Sequence, residues 1–456
     1  MMKQRIRIGC GAGFSGDRLD PSVILAKEGD LDYLILECLA ERTIALAQKR
    51  KRQDPNKGYD PLLERRVTSL LPLLVEKGIR LITNMGAANP IAAAKKVVEI
   101  AQNLGLKVKV AAVYGDDVFD DIDPSVSAME TGKPLTASGE LISANAYLGV
   151  EGILDALNNN AQIIITGRVA DPSLCLAPMI YDLGWSENNY DLMGKGTVIG
   201  HLLECAGHIT GGYFADPIKK PVEGMDSLGH PFADVFADGS AVISKVAGTG
   251  GIVNLQTAKE QLLYEVINPY EYITPDVVAD FTTVRLAEVG AHQVRVTGGT
   301  GKVKPPSYKV SVGYKAFYLG EGEISYAGPH ALARAQLAGD IIERRIRSLV
   351  APQGDVFQDV RIDYIGWNAV HRTTFGTPSP KESYQTVSPP EVRLRVAVKA
   401  KTPEEAALIG EEVEALYTNG PAGGGGVRKY VNEIIGIVSV LMDRSHISPK
   451  ISLFES

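Results

Sequence analysis

Residues Gln162–Ser173 read QIIITGRVADPS. The first half is a run of isoleucines closed by a threonine. The second half is a polar, glycine-containing turn that ends on Asp171-Pro172. Consecutive β-branched residues without polar alternation suit a strand buried on both faces, as in a parallel sheet. Asp-Pro suits a helix start, with the aspartate as cap and the proline in the first turn, where its missing N–H costs nothing. The stretch therefore predicts strand, turn, helix. The same pattern recurs upstream. Ile6–Cys10 runs into GCGAGFSGDR (Gly9–Arg18), and LDYLIL (31–36) into ECLAE (Glu37–Glu41). IRLIT (79–83) runs into NMGAANP (Asn84–Pro90), and VKVAAVY (108–114) into YGDDV (114–118). Amphipathic stretches at Pro61–Glu76 and Pro90–Leu104 each have proline near their start. Such alternation predicts an α/β fold, doubly wound or barrel-like.

From about residue 246 the pattern changes. Strands are expected at Gln293–Thr297, Tyr308–Tyr314 and Val392–Val398, and helices at His330–Leu349 and Pro403–Tyr417. Residues 350–392, rich in Pro, Gly, Ser and Thr, read as long loops. The expected organisation is an N-terminal, largely parallel βα domain over 1–245 followed by an α+β domain over 246–456.

The 456 residues carry a net charge of −7, with no basic footprint for nucleic acid or an anionic membrane. No apolar run approaches membrane-spanning length, and the N-terminus lacks the apolar core of a signal peptide. Cys10, Cys38, Cys175 and Cys205 show no CxxC spacing and read as free thiols. These features predict a cytoplasmic protein.

In a parallel sheet, ligands gather at the carboxyl ends of the strands. All five predicted strands end there in polar or glycine-rich segments. In the first, Gly11–Gly16 matches GxGxxG in letters, with Glu37 about where an acidic partner belongs. However, the helix restarts only at Pro21. The loop is read either as a nicotinamide site or as amides holding a carboxylate or phosphate, with Asp17 and Arg18 at its rim. Asn84 sits at a strand tip, whereas Asn89 before Pro90 reads as a helix cap. Arg168 suits bidentate anion binding or, alternatively, an ion pair with Asp171 inside the turn.

A second concentration lies in GHLLECAGHITGGYFADP (Gly200–Pro217). On one helix, His201, Glu204 and His208 fall on one face. This face serves general acid–base work by His201 or Glu204, a divalent metal, or structure alone. Gly211 and Gly212 count among the substrate-binding candidates. Near the C-terminus, NGPAGGGGVRK (419–429) offers bare amides at Gly424 and Gly425 beside Arg428. That run reads as an anion-binding loop or as a flexible lid. GGTGK (298–302) lacks the first half of a Walker motif, which argues against an NTPase.

Taken in order, GCGAGFSGDR, LDYLILECLAE, TNMGAANP, TGRVADPSL, HLLECAGHITGGYFADP and GPAGGGGVR resemble the acyclic terpene utilisation (AtuA) family over nearly the whole chain. The resemblance implies catabolism of acyclic terpenoids or other branched or carboxylated compounds, beside acyl-CoA enzymes. It also implies a small ferredoxin-like partner subunit, which this chain does not carry. A homo-oligomer is expected as well.

The residues and the resemblance together predict a lyase of hydratase or dehydratase type, acting on a small carboxylate or an acyl-CoA. Glu204, His201, Glu37 and Asp17 are the acid–base candidates. Arg18, Asn84, Arg168, Asp171, Gly211, Gly212, Gly424, Gly425 and Arg428 are the substrate-binding candidates. This chemistry calls for no redox cofactor. A divalent metal on His201, Glu204 and His208 stays as an alternative. An NAD(P)-dependent oxidoreductase and a non-catalytic acyl-CoA-binding subunit are the alternative functions.

Overall fold

The computed structural model describes residues 2–349, 356–370 and 389–456. The chain forms two compact units. The first comprises Met1–Ala137, Leu141–Gly313 and Ile437–Ser456, and the second Ser138–Glu140 and Tyr314–Gly436.

The first unit begins with strands β1 (Arg5–Ala12), β2 (Tyr33–Leu36), β3 (Arg80–Thr83), β4 (Lys109–Tyr114), β5 (Leu141–Ala146) and β6 (Ile163–Thr166). Between them run helices α1 (Asp20–Glu28), α2 (Glu41–Gln53), α3 (Leu63–Lys77), α4 (Pro90–Asn103) and α5 (Glu151–Asn158). Helices α6 (Asp171–Leu183) and α7 (Tyr190–Glu204) follow, then strands β7 (Pro231–Phe236) and β8 (Ala241–Lys245) and helix α8 (Leu255–Leu263). Short strands β9 (Tyr272–Ile273), β10 (Val278–Asp280), β11 (Arg285–Gly290), β12 (Gln293–Thr297) and β13 (Thr300–Lys302) lead to the long β14 (Ser307–Ala327).

Strands β1, β2, β3, β6 and β4 lie side by side in that order, all parallel, as their apolar runs predict. One face packs Leu34, Leu36, Leu81, Val110, Ile163 and Ile165 against Leu63, Leu70, Leu74 and Val97 of α3 and α4. Helices α5, α6 and α7 cover the opposite face. Burial on both sides explains why these strands read as unbroken hydrophobic runs.

Antiparallel strands flank this parallel block. On one side β7 pairs with β1, then β8, β12 and β11 extend the sheet. On the other side the C-terminal strand β18 (Lys450–Glu455) pairs with β4. The boundary expected at 245/246 is therefore displaced. Residues 246–313 belong to the first unit because the β11–β12 hairpin prolongs its sheet, and 437–456 return to close its other edge. Strand β1 has an antiparallel neighbour where a dinucleotide fold has its strand-order reversal, so its glycine loop is not at a switch point.

The second unit contains the end of β14, β15 (Phe357–Ile365), β16 (Glu391–Ala400) and the start of β17 (Gly425–Asp443), in the order β15-β16-β14-β17. Helices α9 (Ala331–Leu349) and α10 (Pro403–Glu414) cover one face, with Ala335, Ala338, Ile342, Ile409 and Val413 on Ile324, Tyr326, Leu394 and Val396. The alternate residues carry ion pairs, Arg393 with Glu323 and Arg395 with Glu321 and Asp363. This is the expected α+β pattern. Strand β15 stands inside 350–392, where only loops were expected, because its alternation is largely polar. Positions 350–355 and 371–388 lie outside the described residues. Among the described residues, no helix is long and apolar enough to cross a membrane.

Candidate functional site

The carboxyl ends of β1, β2 and β6 and the carboxyl end of α7 meet around a cavity of about 660 Å³ in the first unit. Asp17 and Arg18 come from the turn after β1, and Glu37 to Glu41 from the turn after β2. Asp171 opens α6, and Glu204 closes α7. His208, Gly212, Tyr213, His230, Tyr264 and Glu265 complete this part of the wall.

Helix α7 is buried along nearly its whole last two turns, so His201 and Glu204 are carried out of water with it. Their spacing puts them on one face, with His201 Nδ1 2.8 Å from Glu204 Oε1. The imidazole packs against both Tyr272 and Phe281, with ring centroids 5.3 and 5.4 Å away. The Gln261 amide donates to the His201 carbonyl at 2.9 Å, which fixes the helix end. Both His201 Nε2 and Glu204 Oε2 are buried without a partner. Burial lifts the Glu204 carboxyl to about 7 although His201 pulls it down. Burial also opposes a charge on His201, yet Glu204 beside it raises the imidazole. The two groups thus take up and release protons as one unit.

Arg168 belongs to a different arrangement. Its Nη1 donates to Asp171 Oδ1 at 2.9 Å and to the Leu39 carbonyl, and its guanidinium lies 4.0 Å over the Tyr147 ring. The Tyr147 hydroxyl donates to Glu41. Burial works against the Glu41 charge, but Arg168 and these hydrogen bonds bring its carboxyl down to about 2. Arg168 does not line the cavity, so it orders carboxylates from behind. Asp171 is the first residue of α6, after Ala170 as cap, and its side chain goes to Arg168 instead of capping the helix.

Glu37 sits between these groups. Its Oε1 accepts from Leu39 N at 2.9 Å and from the Asn84 amide at 2.8 Å. Asn84 Oδ1 in turn accepts from Cys38 N at 2.6 Å. Asn84 is fully buried and absent from the cavity wall, so it holds the Glu37 turn in place. Burial pushes the Glu37 carboxyl well up, with Asp171 adding to the effect. Asn89, by contrast, caps α4 as its sequence predicts.

The glycines of the first loop are used for close packing. A Cβ on Gly11 would lie 2.8 Å from Ser22 Oγ, and one on Gly13 2.5 Å from the Cys205 backbone. Ser22 Oγ donates to the Gly11 carbonyl at 2.6 Å. Asp17 accepts from Gly13 N at 2.9 Å, and the buried Arg66 clamps the Ser15 and Asp17 carbonyls. His230 holds the Gly11 carbonyl through Nδ1 at 3.0 Å, with Asp17 Oδ1 3.8 Å from Nε2. Burial keeps this imidazole on the neutral side.

Of the sequence candidates, Asp17, Arg18, Glu37, Asp171, Glu204 and Gly212 line the one cavity. His201, Asn84 and Arg168 stand directly behind wall residues. Gly211 takes a φ of +110°, making the turn that presents Gly212. Gly424, Gly425 and Arg428 belong to the second unit. There Gly425 already starts β17, so the glycine run is the entry to a strand.

The expected three-residue face is broken because α7 stops at Glu204, and His208 sits in a following 3₁₀ turn. Its ring stacks on Tyr213 and meets Tyr264 edge-on. Among the described residues, no group of three His, Cys, Asp or Glu is arranged to hold a metal ion. Glu41, His230, Tyr264 and Glu265 are wall residues that sequence reasoning did not select. Glu41 was visible in ECLAE, but His230 and Glu265 carry no local pattern.

No curated protein and no solved structure gives a significant match to the chain. The sequence model described as "Acyclic terpene utilisation family protein AtuA" matches residues 6–453. The chain therefore belongs to the acyclic terpene utilisation (AtuA) family.

Proposed function

We propose that this protein is a proton-transfer enzyme of the lyase class, adding or removing water on a small carboxylate or acyl-CoA in the degradation of acyclic terpenoids or branched acids. The observation that carries the reading is the buried His201–Glu204 pair, whose free Glu204 Oε2 belongs to a wall residue of the cavity. Dehydration of a β-hydroxyacyl group needs a base for the α-proton and an acid for the departing hydroxyl. Glu204, lifted to about 7, exchanges a proton near neutral pH and is the base. Glu37, pushed well up by burial, keeps its proton and is the acid. Two carboxyls with differently tuned environments then take two roles. His201 positions Glu204 and moderates its basicity. The first turn of α2 faces the cavity through Ala40 and Glu41, and its positive dipole end supports developing negative charge on the carbonyl oxygen.

The nicotinamide reading is weaker. The glycines it requires are occupied by side-chain and backbone packing, and Glu37 is bound to Leu39 and Asn84.

The test is a spectrophotometric assay of the purified protein with branched α,β-unsaturated acyl thioesters, following loss of the conjugated chromophore. Hydration by the wild type and its loss in Glu204→Gln is the expected result. Equal rates in the two proteins would remove Glu204 from the chemistry.

A further inference from the structure

The charges around the cavity are unequal. Asp17, Glu37, Glu41, Asp171, Glu204 and Glu265 all contribute to the wall. Arg18 is the only lysine or arginine among the wall residues, and it lies on Asp20, with Nη2 2.5 Å from Oδ2. The cations behind the wall are also engaged. Arg168 is on Asp171 at 2.9 Å, Lys309 is 3.5 Å from Glu41, and the buried Arg66, which is not a wall residue, is spent on the Ser15 and Asp17 carbonyls at 3.0 and 2.8 Å. Asp17 and Glu265 have no lysine or arginine partner among the ion pairs of the described residues. Glu204 Oε2 is buried and unpartnered. Protonation of the two most buried carboxyls reduces this excess without supplying a cation. His208 and His230, the wall imidazoles, are kept from charging by burial.

Alongside this acidic floor, Phe14, Tyr213 and Met225 line the same cavity with 61%, 88% and 41% of their surface exposed. An apolar chain can rest there. A carboxylate at the floor meets like charge in a partly desolvated space, where repulsion is strongest.

We propose that the ligand's reacting end is uncharged: the cavity takes the acyl end of a thioester, or another neutral carbonyl compound, and rejects the free carboxylate of the same skeleton. This rests on the proton-transfer reading and narrows its two substrate classes to one.

Cys205 allows the charge of the cavity to be read without any substrate. It lines the cavity and is half-buried, whereas Cys10, Cys38 and Cys175 are buried. The experiment compares its alkylation by neutral iodoacetamide and by iodoacetate in the full-length protein. Peptide mapping assigns the label and Cys205→Ser serves as control. The expected ratio of rates exceeds that for N-acetylcysteine by at least about tenfold, as a potential of a few kT would give. Glu265→Gln, an exposed position, lowers the ratio, and Asp17→Asn lowers it further. A ratio equal to that of N-acetylcysteine overturns the proposal.

Equilibrium dialysis supplies the second arm, using a branched enoic acid and its N-acetylcysteamine thioester. Tighter binding of the thioester supports the proposal, and equal or tighter binding of the free acid contradicts it. A high alkylation ratio in a protein that catalyses no proton transfer would leave the charge inference standing and remove the enzymatic reading.

Discussion

Two ion pairs stand at the same sheet edge with the same i,i+3 spacing, His201–Glu204 and Arg168–Asp171. Both cations are almost fully buried, with side chains 1% and 2% exposed. They differ in the cation. A guanidinium stays charged at any physiological pH, so Arg168 holds Glu41 as a fixed anion and opposes the burial that raises Asp171. An imidazole can give up its charge, so His201 leaves Glu204 free to bind and release a proton. One pair sets the electrostatic frame and the other carries the titration. On the proposed function, the same local geometry separates structure from chemistry by the identity of a single residue.

The largest effect expected from breaking this contrast is on turnover. Glu204→Gln keeps the shape of the pair and removes its proton exchange. The rate should fall about 10²- to 10⁴-fold. Urea unfolding at neutral pH should change by less than about 1 kcal/mol, since the substitution also removes a carboxyl that is costly to ionise when buried. A rate within threefold of wild type would assign the chemistry elsewhere.

Arg168→Leu acts on the frame. It leaves Asp171 and Glu41 without their shared cation, and the expected loss is about 3–5 kcal/mol in urea unfolding. A loss below about 1 kcal/mol would show that Tyr147, Lys309 and the backbone suffice to hold the turn. Asn84→Ala comes next. It strips Glu37 and the Cys38 amide of one partner each, at a cost of about 1–3 kcal/mol. Glu37 should then be harder still to ionise, visible as an upward shift of its carboxyl titration by isotope-edited infrared spectroscopy.

The smallest effect is in the pH dependence of stability. The folded-state values of Glu204 and His201 both lie above those of the unfolded chain. The native state therefore binds more protons in this window, and unfolding free energy falls as pH rises from the usual carboxylate range to about 7. For Glu204 the loss is complete once pH exceeds that folded value. Glu204→Gln should flatten the slope, measured by urea titrations at several pH values. His201→Gln removes the group that pulls Glu204 down, so the acidic limb of the pH–rate profile should move upward. An unmoved limb would deny His201 its positioning role.

The parallel block was legible because its strands are buried on both faces, and QIIIT and LDYLIL advertise that burial in unbroken apolar runs. The antiparallel flanks were not. Strand β11 is largely exposed, and the pairing of β18 with β4 joins residues more than three hundred positions apart, which no local pattern encodes. At the site, strand-end polarity singled out Asp17, Glu37 and Asp171, and helical spacing in GHLLECAGH singled out Glu204; all four line one cavity. Spacing alone did not place His208, because the helix ends at Glu204 where Cys205 and Gly207 turn the chain. At Arg168 residue type left two readings open, and the structure shows the ion pair with Asp171. An arginine at a strand tip suits an anion, but here Asp171 is the anion. The glycines were found by composition, yet their role came from contacts: Gly13 admits the Cys205 backbone, and the late glycine run feeds a strand.

The central claim is that Glu204 moves protons at the cavity. It is tested most directly by incubating the protein in D₂O with a saturated branched acyl thioester and following α-carbon exchange by proton NMR. The account predicts deuterium incorporation by the wild type, rising with pH through about 7, and its loss in Glu204→Gln. Exchange at the same rate in Glu204→Gln, or a pH dependence centred in the usual carboxylate range, would contradict it.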